Sequence, residues 1–157
     1  MKKIVEKIII VMTSIFMSIL VLGALWQVFS RYVIGKPSLM TEELLRFSLI
    51  WTAMLGAVYC FGEKKHLALT FLREKLSDRN KEIMDIINGI LTLIFAGVIM
   101  IGGGYRVILV TMNQRSPILN LSMGLVYSII PIAGILIIGM QGSLLAENFK
   151  NLRKVGK

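Results

Sequence analysis

The chain has 157 residues, 55% of them apolar and 17% charged, with a single Cys. A disordered chain needs low hydrophobicity and a soluble domain averages about 45–50% apolar, so this composition points to a membrane protein. Eighteen Lys and Arg against nine Asp and Glu give a formal charge of +9, which fits either nucleic-acid binding or one side of a bilayer. One Cys excludes an intramolecular disulfide, a CxxC redox pair and a Cys-based zinc cluster.

Residues 8–30 carry no charge. As a helix they reach roughly 34 Å at ~1.5 Å per residue, enough for a hydrocarbon core of about 30 Å. The run exceeds the ~7–15 apolar residues of a secretory signal, so it is expected to remain as a first span. Residues 47–62 form a second uncharged run. With Thr41 as N-cap, and Glu42 and Glu43 at the positive end of the helix dipole, that span extends over 41–62. The stretch 66–76 mixes Leu67, Leu69, Phe71, Leu72 and Leu76 with Arg73, Glu74 and Lys75, the composition of a short amphipathic helix lying in the interface. A third span is predicted over 83–111 and a fourth over 122–146. Pro131 should kink the fourth by freeing the carbonyl of Tyr127. The expected fold class is therefore an all-α integral membrane protein, one four-helix domain over 1–157.

Charge distribution sets an orientation. Thirteen Lys and Arg fall in the N-terminus, the connection between the second and third spans, and the C-terminus. Five fall on the other side: Arg31, Lys36, Arg46, Arg106 and Arg115. This bias predicts that both termini lie in the cytoplasm. It also accounts for the basic excess without nucleic acid.

Ion and proton pathways need ionisable groups at membrane depth, and the span interiors have almost none. With one His and one Cys, no haem ligand pair, metal centre or catalytic constellation can be assembled, so neither enzyme activity nor a cofactor is expected. Charged residues gather instead at the outer edge. Glu42 and Glu43 stand four and three residues before Arg46, both favourable helix spacings. Together with Arg31 these groups either pin two helix ends in the interface or form a brace or partner contact. Ser48, Thr52, Gly56 and Cys60 recur every four residues, with Ala53 and Ala57 beside them. Small residues in that register let membrane helices approach closely, either within the four-helix unit or against another polypeptide. His66, beside Lys64 and Lys65, reads as an exposed cytoplasmic-edge residue.

The run Trp26-Gln27-Val28-Phe29-Ser30-Arg31-Tyr32-Val33, then Gly35 and Pro37, Thr41-Glu42-Glu43-Leu44-Leu45-Arg46, Trp51, Gly56-Ala57 and His66 resembles the DctQ-type family. These are the small membrane subunits of TRAP (tripartite ATP-independent periplasmic) transporters. Ser116-Pro117, Leu121, Met123-Gly124 and Pro131 also resemble the family's approach to its last helix. One departure is Leu39-Met40, where the family pattern leads to an aromatic residue ahead of Thr-Glu-Glu. The resemblance implies a non-catalytic scaffold in the bacterial inner membrane. It would brace a large multi-span subunit and help seat a periplasmic binding protein during sodium-coupled import of a carboxylate solute, such as a dicarboxylate or sialic acid. The residues by themselves also admit a self-sufficient small homo-oligomeric transporter or channel.

Overall fold

A six-residue turn over 33–38 ends the first helix and leads into the second. In the computed structural model, which describes residues 2–62 and 78–155, α1 (Lys2–Tyr32) gives way to a turn through Gly35, whose φ of +72° is open to glycine. The Lys36 N–H returns to the Ser30 carbonyl at 3.2 Å, and the Ser30 hydroxyl donates to the Lys36 carbonyl. Helix α2 (Leu39–Gly62) then starts two residues ahead of the expected cap. The Ser38 carbonyl accepts the Glu42 N–H at 3.1 Å, and the Ser38 and Thr41 hydroxyls share a 2.7 Å hydrogen bond. Ser38 thus occupies the capping position, and Thr41 lies inside the first turn as its partner.

Helix α3 (Asp78–Ile94) continues without a break into a π-helical segment (Phe95–Gly103) and then α4 (Gly104–Thr111). A looped connection leads to α5 (Met123–Tyr127) and α6 (Ile129–Val155). Four of these helical stretches are long and apolar enough to cross a membrane: Glu6–Tyr32, Leu39–Phe61, Ile83–Thr111 and Met123–Leu145. Among the described residues there is no strand, only an isolated bridge between Arg115 and Ser122. The expected interfacial helix at 66–76, and His66 with it, lie outside the described residues.

The fourth span is interrupted at Ser128, three residues before Pro131. Pro131 has no N–H for the Tyr127 carbonyl. The Ser128 hydroxyl donates to the Leu125 carbonyl at 2.7 Å, closing the turn locally. Glycines bring the third and fourth spans together along this stretch. A Cβ on Gly104 would stand 2.8 Å from Cδ of Pro131, and one on Gly134 would stand 3.0 Å from Cβ of Met100 and 3.2 Å from the Ala96 carbonyl. One on Gly124 would stand 2.9 Å from Cα of Met112. Close backbone approach of this kind is how helices associate where lipid removes the hydrophobic drive.

The core contains Leu55 and Val58 from α2, Ala96 and Met100 from the π segment, and Ile129, Ala133, Ile137 and Met140 from the fourth span, with Ile9 from α1. Burial is uneven. In the apolar window of the fourth span 39% of residues are buried, against 6% in that of α1. Helix α1 rests chiefly on α2 and leaves Ile8, Ile15, Leu22 and Leu25 exposed. Ile87, Leu91, Ile94 and Val98 do the same on the third span. This is a belt of apolar surface far larger than a water-soluble monomer carries, and a bilayer would cover it.

Candidate functional site

The charged residues singled out at the start of α2 divide between two tasks. The Arg46 guanidinium pairs with Glu42 at 3.4 Å, one turn away, and both side chains are exposed. An exposed pair at this spacing contributes only about 0.3–0.5 kcal/mol, so it tidies the helix surface rather than holding the bundle. Glu43 turns the other way. It is 6% exposed, and its Oε2 accepts the backbone N–H groups of Ile118 at 3.2 Å and Leu119 at 2.7 Å. The i,i+3 spacing to Arg46 is therefore not the one used: Glu43 spends its carboxylate on a loop 75 residues away. Arg31 is exposed at the end of α1 and forms no ion pair with either carboxylate.

That loop is tied internally as well. The Ser116 N–H donates to the Leu121 carbonyl at 2.9 Å, and the Leu121 N–H donates to the Ser116 hydroxyl at 3.1 Å. Arg115 donates to the Asn120 carbonyl at 3.2 Å, and the Ser122 hydroxyl donates to the Met112 carbonyl at 2.8 Å. Asn120 sits at φ 52°, a left-handed position that Asn tolerates better than most residues. Ser116 is buried, whereas Ile118 and Leu121 are 47% and 40% exposed. The outcome is an ordered reverse turn with an apolar tip, anchored to α2 by a buried carboxylate.

Trp51 links three elements. Its ring packs on Phe16 of α1 with centroids 5.7 Å apart, and its Nε1–H donates to the Val126 carbonyl at 3.2 Å, next to the Ser128 interruption. Trp26 pairs with Phe29 at 6.0 Å and, like Tyr32, is exposed near the end of α1, where membrane-interface aromatics belong.

The small-residue stripe changes environment along its length. Ser48 is buried, and the Thr52 hydroxyl donates to its carbonyl at 2.8 Å. A Cβ on Gly56 would meet nothing within 4 Å, and Ala53 and Cys60 are exposed while Ala57 is half-buried. The close approaches inside the chain come instead from glycines that the stripe does not contain. Besides those of the third and fourth spans, a Cβ on Gly23 would stand 2.6 Å from Cδ2 of Leu45. Their signal in the sequence is glycine inside long apolar runs, where alanine would be the better helix former.

No group of three or more His, Cys, Asp or Glu placed to hold a metal occurs among the described residues. What the geometry offers is packing surface and an ordered end.

Comparison with known proteins agrees with this character. A TRAP transporter small permease protein of Haemophilus influenzae is 36% identical over 107 residues, covering 68% of this chain and 66% of the relative. The sialic acid TRAP transporter small permease protein SiaQ of Vibrio cholerae is 26% identical over 103 residues, covering 66% and 60% respectively. The chain thus spans a little under two thirds of the length of these relatives. Residues 20–151 match the family described as tripartite ATP-independent periplasmic transporters, DctQ component, and the chain belongs to that family.

Proposed function

We propose that this chain is the small, non-catalytic subunit of a TRAP transporter, a scaffold that braces a large multi-span transport subunit and helps dock a periplasmic solute-binding protein. The observation that carries this reading is the family match over residues 20–151. The distribution of Lys and Arg supports a bacterial inner-membrane orientation with both termini cytoplasmic. In that orientation the α1–α2 turn and the 112–122 loop face the periplasm. The solute is a carboxylate imported with sodium, and sialic acid is the first candidate because a relative carries that name. A chain with so little ionisable chemistry inside its spans contributes packing surface, and the open face around Gly56 and the free side of α1 suit contact with the large subunit.

The test is uptake by cells that lack this chain but retain the large subunit and the binding protein. Loss of uptake, restored by supplying the chain, is the expected result. Undiminished uptake would refute the proposal. Flux through liposomes holding this chain alone would favour a self-sufficient transporter.

A further inference from the structure

A connection between two membrane helices needs only to close the chain, and a polar surface loop ordinarily does so with its amides in water. The 112–122 connection is built differently. A carboxylate is expensive to bury unless its charge is met by hydrogen bonds, yet Glu43 is 6% exposed and its Oε2 takes two adjacent loop amides at 3.2 and 2.7 Å. Four further bonds, through Arg115, Ser116, Leu121 and Ser122, fix the same turn from within. The ordered product presents Ile118 and Leu121, both substantially exposed, at the end of the bundle.

We infer that Glu43 is a positioning residue: its carboxylate latches the 112–122 loop in one conformation so that the loop tip meets the soluble solute-binding partner. The inference rests on the transporter reading above, in which this end faces the periplasm. Pre-ordering is the physical point. A loop that is fixed before encounter does not lose conformational freedom on contact, so loosening it weakens docking while leaving the transport step itself intact.

Two measurements on the full complex test this. In hydrogen exchange, Glu43→Leu should speed exchange of the Ile118 and Leu119 amides by roughly ten- to a hundredfold, the effect of losing bonds to a charged acceptor. Glu43→Gln keeps a carbonyl oxygen in place and should stay within severalfold of wild type. In proteoliposomes, uptake of radiolabelled sialic acid, and of a four-carbon dicarboxylate in parallel, is titrated with purified binding protein. Glu43→Leu should raise the half-saturating concentration at least fivefold with a near-normal maximal rate, and Glu43→Gln should restore it. Leu119→Pro removes the nearer amide donor without touching α2, so it should shift docking in the same direction even if Glu43→Leu fails to assemble. Unchanged loop exchange in both Glu43→Leu and Leu119→Pro overturns the latch. A loosened loop with an unchanged half-saturating concentration, or a fall confined to the maximal rate, overturns the docking role. Wild-type uptake that needs no copy of this chain overturns the transporter reading and the docking role with it, while the exchange experiment still decides the latch.

Discussion

Gly104 and Gly103 are neighbours on the third span with opposite surroundings, and replacing each by alanine isolates the cost of one methyl group. At Gly104 the new Cβ would stand 2.8 Å from Cδ of Pro131, 3.1 Å from its nitrogen and 3.2 Å from Cγ2 of Ile130. Carbon atoms pack best at about 3.5–4.0 Å, so the overlap with the ring is about 0.7 Å or more. A proline ring has no rotamer into which it can swing away, and the strain must pass into the backbone of the fourth span. At Gly103 the same Cβ meets nothing within 4 Å. Both substitutions gain up to ~1 kcal/mol of helix propensity, which cancels in the comparison. Overpacking costs ~1–3 kcal/mol, so Gly104→Ala should be less stable than Gly103→Ala by that amount. For a chain of this length each kcal/mol moves the midpoint by about 2–4 °C, giving a gap of about 2–12 °C. Thermal unfolding of the two purified variants in one detergent, followed by circular dichroism, measures it. A Gly104→Ala variant that melts at or above Gly103→Ala would refute the close approach of the two spans.

Trp51→Phe keeps a ring against Phe16 but removes the donor to the Val126 carbonyl. It should cost about 0.5–1.5 kcal/mol, read as a lower unfolding midpoint in the same assay, and an unshifted midpoint would show that the carbonyl finds other company. Gly56→Leu points into space that the chain leaves empty, so the isolated protein should keep its stability within about 0.5 kcal/mol. Its yield of complex with the large subunit should fall. Unchanged complex yield and uptake would mean that this face of α2 is not an interface.

Features set by neighbouring residues were readable from the sequence, and features set by distant ones were not. Four apolar stretches declare themselves because a bilayer imposes length and composition on each one separately. The Glu42–Arg46 pair follows from helix geometry alone. Capping was nearly degenerate, since Ser38 and Thr41 carry the same hydroxyl chemistry and the choice depends on where the preceding turn releases the chain. The disruption around Pro131 was foreseeable from its missing N–H, but its centre at Ser128 depends on how the turn rebuilds its hydrogen bonds. Nothing within α2 reveals that Glu43 bonds to Ile118 and Leu119, because no local spacing links residues 75 positions apart. The glycines behaved likewise. Gly56 belongs to a regular small-residue pattern and stands open, whereas Gly124 and Gly134 belong to none and are held tight; in the run Gly102–Gly103–Gly104, a visible signal for close packing or loosening, it is Gly104 that is held tight.

The Glu43 contact also has a mechanical meaning. The first two spans and the last two form a pair of hairpins that the chain joins covalently between Gly62 and Asp78, at one end only. The shared core and the Trp51–Val126 hydrogen bond hold the hairpins together along their length, but a covalent joint at one end leaves the opposite ends the freest to part. A second fastening at the opposite end removes that freedom and turns the pair into a braced frame. Glu43 supplies such a fastening, since it sits in the first hairpin and grips the turn of the second. Shear between the hairpins at that end must therefore stretch the two Glu43 hydrogen bonds, at 3.2 and 2.7 Å, before it can bend any helix.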